Sequence, residues 1–245
     1  MPSIVWGRHP QEAYDNPYEY EAQEQFVREA SALLKALSSS LDRLTMAFHR
    51  DDRSLEKASW MLNLDLVDAL TEIKKLLVER RHRVAFRLLR DVVETIDLLE
   101  VLHAANPRAE RALREWYKDQ TISHGESRQH IEEVRGAEFA YARRDYYKQL
   151  SKFTHRTYRA LLKSFSLGHG DMLVPDTHHS NDLVSPQTLA SGFAVLADLI
   201  MQALKCMSAC GPLTSGEVAE AYRTAIESTT VGRRFAPRYP SSRYD

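Results

Sequence analysis

The sequence predicts an all-α protein, a single bundle of about seven or eight helices with several long antiparallel members. Three observations lead there. No glycine occurs between Gly7 and Gly125, and Pro107 is the only proline between Pro17 and Pro175, so few positions oblige a helix to stop. Apolar residues recur at three-and-four spacing over long stretches, which is the signature of one helical face. Neither an internal repeat nor a Gly/Ser linker divides the chain, so the expectation is one domain over residues 1–245, with a core bundle over 18–210, an N-terminal arm over 1–17 and a basic C-terminal tail over 233–245.

The first helix is expected over 18–48, where Phe26, Ala30, Leu33, Leu37, Leu41, Leu44 and Phe48 form its apolar face. Asp51, Asp52 and Ser54 supply a break and a new N-cap, and a second helix over 54–80 follows with Leu62, Leu66, Ile73 and Leu76 inside. The charged run Glu79–Arg83 is a turn before a third helix, 83–104, carrying Phe86, Leu89, Val92, Val93, Ile96 and Leu99. Asn106 followed by Pro107 is a cap and a first-turn proline, placing a short helix from Pro107 to Tyr117. A more polar helix is expected around 127–142, and another over 145–167, with Asp145 as its cap. Residues 168–182 are irregular, an apolar helix spans 186–210, and a last one runs from Ser215 to about Ser228.

Charge is nearly balanced overall, at −1, but it is segregated. Residues 11–31 hold six acids against Arg28, while Arg233, Arg234, Arg238 and Arg243 lie near the C-terminus. Attraction to a polyanion must therefore come from a local patch, and the two ends could pair between copies, so a homodimer or larger assembly is expected. Cys206 and Cys210, four apart on one helix, are poorly placed for a disulfide and read as thiols of a reducing compartment. The first residues lack the apolar run of a secretion signal, and Asp198, Gln202 and Lys205 interrupt the most apolar helix, so a cytoplasmic protein without a membrane span is expected.

The segment from Arg143 to Lys163 contains seven lysines and arginines against one acid. On a helical wheel Leu150, Phe153, Thr154, Thr157, Leu161 and Phe165 share a core arc. Lys148, Lys152, Arg156, Arg159 and Lys163 form a stripe suited to nucleic-acid phosphates. His155 falls at the border between them. Upstream, Arg90 and Glu94 are one turn apart and can pair, and if they reach into the bundle they would meet a polar row of Tyr147, Ser151 and His155. The loop holding His169, Asp171, Asp176, His178, His179 and Asp182 matches no closed zinc spacing, so neither a metal nor a cofactor is expected. The glycine-rich phosphate loop, GxSxG, HExxH and CxxC are all absent.

AFRLLRDVVET and YYKQLSKFTH, within Leu41–Leu204, resemble a group of bacterial all-helical proteins of unknown function. In that group an Arg-x-x-x-Glu helix precedes an L-S/N-x-x-x-H element, matched here by Arg90, Glu94, Leu150, Ser151 and His155. The group is distantly similar to the HEPN superfamily of helical nucleotide-binding and RNase domains. The resemblance implies a helical protein that binds RNA, a nucleotide or a protein partner. HEPN nucleases carry an Arg followed by His after four to six residues; the only such spacing here is Arg43 to His49, and upstream of His155 Arg144 is eleven residues away, so the resemblance does not extend to the usual nuclease motif. Three functions are therefore open: a HEPN-like binding protein that uses the basic stripe, a metal-independent RNase of a bacterial defence or toxin system, or a structural subunit of a homo-oligomer. In the RNase, His155 would be the general base and Arg156 or Arg159 would stabilise the transition state.

Overall fold

The computed structural model describes residues 17–42, 47–79, 81–122, 124–155, 165–167, 173–175 and 186–209, with isolated positions in 157–161 and 220–227. Among them the chain is an all-α bundle of seven helices: α1 Pro17–Asp42, α2 Leu55–Val78, α3 His82–Leu102, α4 Pro107–Trp116, α5 His124–Arg135, α6 Ala137–Thr154 and α7 Pro186–Ala209. A short antiparallel ribbon joins β1 (Phe165–Leu167) to β2 (Leu173–Pro175), with Ser166 opposite Val174. No helix among the described residues is long and apolar enough to cross a membrane.

Two helices organise the rest. α7 packs on α1, α2 and α3, while α3 also touches α4, α5 and α6. α7 can hold the centre because it is apolar nearly all round: Phe193, Leu196, Ala197, Leu199, Ile200, Met201, Ala203, Leu204 and Met207 are all fully buried. Gly192 lets it come close. A Cβ there would stand 2.8 Å from Leu77 Cδ2 and 3.0 Å from Phe86 Cε1, so the missing side chain is the space that α2 and α3 occupy. Cys206 is a buried thiol on the same helix; Cys210 lies outside the described residues.

Helix ends follow local chemistry. Ser54 caps α2, its hydroxyl accepting from the Lys57 amide at 3.2 Å, and Asn106 caps α4 by accepting from Ala109 N at 3.1 Å, with Pro107 in the first turn. The expected helix to residue 48 is corrected: α1 ends at Asp42, and residues 47–49 are not helical. They belong to a loop gathered by Lys57, whose ammonium donates to the carbonyls of His49, Arg50 and Asp52 at 3.0, 2.6 and 2.9 Å. The expected division 127–142 and 145–167 is also corrected. The break falls at Gly136, whose φ of +85° is costly for any residue with a Cβ even though the space there is open, so Asp145 lies inside α6 rather than at its cap.

α6 then stops at Thr154 instead of running unbroken to 167; Tyr158 and Leu161 are again helical, with Leu161 N–H on the Thr157 carbonyl at 2.9 Å, and 165–167 is a strand. The stop is made by Thr157. Its N–H closes on the Lys152 carbonyl at 3.3 Å, and its hydroxyl donates to the same oxygen at 3.4 Å, so that carbonyl is satisfied by a wider turn than the α-helix provides. The expectations for 168–172, 176–185 and 210–219, with residues 1–16 of the arm and the basic tail, fall outside the described residues.

Inside the bundle, the hydroxyl of Ser59 links α2 to the end of α3. It donates to the Leu55 carbonyl at 2.7 Å and lies 2.6 Å from His103 Nε2. The hydroxyl has one proton and gives it to Leu55, so Nε2 must be the donor to Ser59 Oγ. Burial lowers the His103 pKa below its ordinary 6.5, with Glu56 opposing. The unfolded chain therefore takes up a proton that the folded chain resists. His103 contributes stability that is complete above pH 6.5 and lost as pH falls through its lower folded value. Urea titrations should show stability declining on acidification below 6.5, with a shallower decline in His103→Gln; parallel declines in the two proteins would refute the assignment.

Candidate functional site

α3 and α6 face each other along a polar seam. Glu94 Oε1 accepts from Arg90 Nε at 2.7 Å and from the Tyr147 hydroxyl at 2.8 Å. The Arg90 guanidinium also lies over the Tyr147 ring, 5.0 Å from its centre, with Arg128 at 5.6 Å. Burial, then the Glu94 carboxylate, push the Tyr147 pKa upward, so the phenol is a neutral donor at ordinary pH. Arg90, Glu94 and Tyr147 thus form one cluster. Ser151 stands a turn further along and donates to its own helix, at the Tyr147 carbonyl, at 2.9 Å.

His155 does not continue that row. It is the C-cap residue of α6, exposed, with its backbone N–H bonded to the Ser151 carbonyl. No side chain among the described residues bonds its imidazole. The wheel places it at the border of the core arc; in the structure it is exposed at the C-terminal end of the helix. Lys148 and Lys152 are on α6, Lys148 exposed and Lys152 half-buried with its ammonium on Gln149 at 2.7 Å. Arg156, Arg159 and Lys163 lie outside the described residues.

What α6 does present outward is a shorter face that the stripe only partly anticipated. Tyr141, 74% exposed, and Arg144, Lys148 and Lys152 follow one another at intervals of three and four, with His155 completing the row and Asp145 at its edge. The side toward the bundle carries Arg143, only 9% exposed. Its Nε and Nη2 donate to Asp97 Oδ1 at 2.9 and 2.6 Å, and its Nη1 to Gln202 Oε1 at 2.6 Å. Gln202 in turn donates to Asp198 Oδ2 at 2.9 Å, so one chain of bonds joins α3, α6 and α7.

That chain is one wall of an open pocket of about 440 Å³ lined by α3, α5, α6 and α7. Its only sign at the level of sequence is faint, in the polar residues Asp198, Gln202 and Lys205 at i, i+4 and i+7 on an otherwise apolar helix. A second cavity, of about 510 Å³, opens beside the seam between Asp91, Glu94, Trp116 and Asp119. Burial, with Glu94 close by, raises the Asp91 pKa. Among the described residues no three His, Cys, Asp or Glu side chains are placed to hold a metal ion; the histidine-rich loop, 168–182, is described only at 173–175.

No family model, no curated protein and no solved structure matches this chain.

Proposed function

We propose that the chain is a helical binding protein that takes RNA or nucleotide phosphates on the outward face of α6, without chemistry of its own. The observation that carries this reading is the row of Tyr141, Arg144, Lys148 and Lys152. An exposed ring among cations on one rigid helix is the combination that holds single-stranded nucleic acid: the ring stacks a base while the cations meet the phosphates. The resemblance to HEPN-like proteins agrees with it.

Filter binding with a short single-stranded RNA tests the reading. Reversal of Arg144 and Lys148 to Glu together should weaken retention by about tenfold or more, and wild-type affinity should fall steeply with salt. Tyr141→Ala should cost about 1–3 kcal/mol of binding while leaving the salt slope unchanged. Wild-type protein that retains no RNA at low salt ends the proposal. RNA cleavage in EDTA that His155→Ala abolishes would replace binding with catalysis.

A further inference from the structure

The pocket of about 510 Å³ between α3, the turn that follows α4, and α5 holds charge of one sign. Asp91, Glu94 and Asp119 line it, while no lysine, arginine or histidine does among the described residues. Glu94 is engaged by Arg90 and Tyr147. The other two acids are not: neither the Asp91 nor the Asp119 carboxylate has a hydrogen-bond or ion-pair partner among the described residues. Burial first, then the Glu94 charge, push the Asp91 pKa up; Arg90, bonded to Glu94, offsets only part of this, and Asp65 adds to the rise.

The rest of the lining suits a particular kind of cation. Ser127 of α5 is 7% exposed, and its hydroxyl opens onto the pocket with no partner among the described residues, free to accept from an N–H donor seated there. Trp116 supplies a flat wall, its ring braced edge-on by Tyr117 with centres 4.9 Å apart. The face of an indole attracts positive charge. Asp119 holds the rim. It is the left-handed residue that closes α4, with φ of +60°, where the Gln120 N–H reaches back to the Glu115 carbonyl at 3.0 Å. A metal ion does not fit, because among the described residues no three His, Cys, Asp or Glu side chains are placed to chelate one. The positive charge must be spread over a larger group. A guanidinium meets that condition: it is flat, carries several N–H donors and stacks on aromatic faces.

We infer that this pocket binds a guanidinium group on a short apolar stem, stacked on Trp116, with its N–H groups toward Asp91, Asp119 and Ser127 and its stem along Leu98 and Ile122. Such a group comes as a small free compound or as the arginine side chain of a peptide. The same carboxylates repel phosphate, so the site is separate from the RNA-binding face proposed on α6, and either can fail without the other.

Calorimetric titration of the full chain with butylguanidine tests this, and saturable binding is expected. Butylurea, of the same shape without the charge, should be weaker by about tenfold or more, and butylamine, which has no flat face to stack, by about threefold or more. Asp119→Asn should weaken butylguanidine by about tenfold with the fold intact, because asparagine tolerates the left-handed conformation as aspartate does. Trp116→Leu should erase the preference for butylguanidine over butylamine. N-acetylarginine amide separates the two sources: tighter binding than butylguanidine assigns the pocket to a peptide arginine, and weaker binding assigns it to a free compound. The Arg144 and Lys148 reversals that test RNA binding should leave these affinities unchanged. Absence of saturable binding by both guanidinium probes, equal binding of butylurea, or wild-type affinity in Asp119→Asn would each overturn the proposal.

Discussion

Replacing Arg143 with methionine is expected to lower the free energy of unfolding by about 3–5 kcal/mol. The guanidinium is 9% exposed and its partner Asp97 13%, so the substitution strips a largely buried carboxylate of two charge-assisted hydrogen bonds. It also takes the donor from Gln202 Oε1 and unties α6 from α3 and α7 together. Urea denaturation followed by circular dichroism measures the loss. The double replacement Arg143→Met with Asp97→Leu should recover much of it, because two apolar groups of similar shape have no charge to strand. A single replacement within about 1 kcal/mol of wild type would mean that the pair is effectively solvated, contrary to its burial.

Phe193→Ala is the second large effect, again about 3–5 kcal/mol. Phe193 is wholly inaccessible on the helix that all of α1, α2 and α3 pack against, and its neighbour Gly192 already brings Leu77 and Phe86 to contact distance. A site so enclosed has little freedom to collapse around a lost ring, which puts the cost toward the upper part of that range. The urea midpoint should fall with an unchanged slope, since the surface exposed on unfolding is nearly the same. Phe193→Leu should restore about half; a loss from alanine below about 1 kcal/mol would show that the centre of the bundle is loosely filled.

The sequence made the bundle legible because its punctuation is local. Ser54, Asn106–Pro107 and Pro186 start helices where capping chemistry says they should, and the apolar rows of α2, α3 and α7 are buried as their spacing implies. Gly136 was equally readable, yet periodicity across it concealed a turn that only its left-handed φ reveals. The end of α6 was harder. No glycine or proline marks it, and Thr157 stops the helix by a hydrogen bond that competes with the next α-helical turn, which no apolar pattern reports. The seam of Arg90, Glu94 and Tyr147 was accessible from i, i+4 spacing plus a polar position on a facing helix. The cavity was not, because Asp97, Arg135, Tyr146 and Lys205 come from four separate helices and meet only through packing.

The bend between α1 and α2 has a chemical identity of its own. Three carbonyl oxygens converge on the Lys57 ammonium, using all three of its N–H bonds. Seen from the oxygens, the bend is an ionophore in miniature, a ring of backbone dipoles that has captured a cation tethered to the following helix. Its guest cannot diffuse away, so the selectivity that a free ionophore would show among ions is replaced by connectivity: the host is closed only when α2 has formed and delivered the lysine.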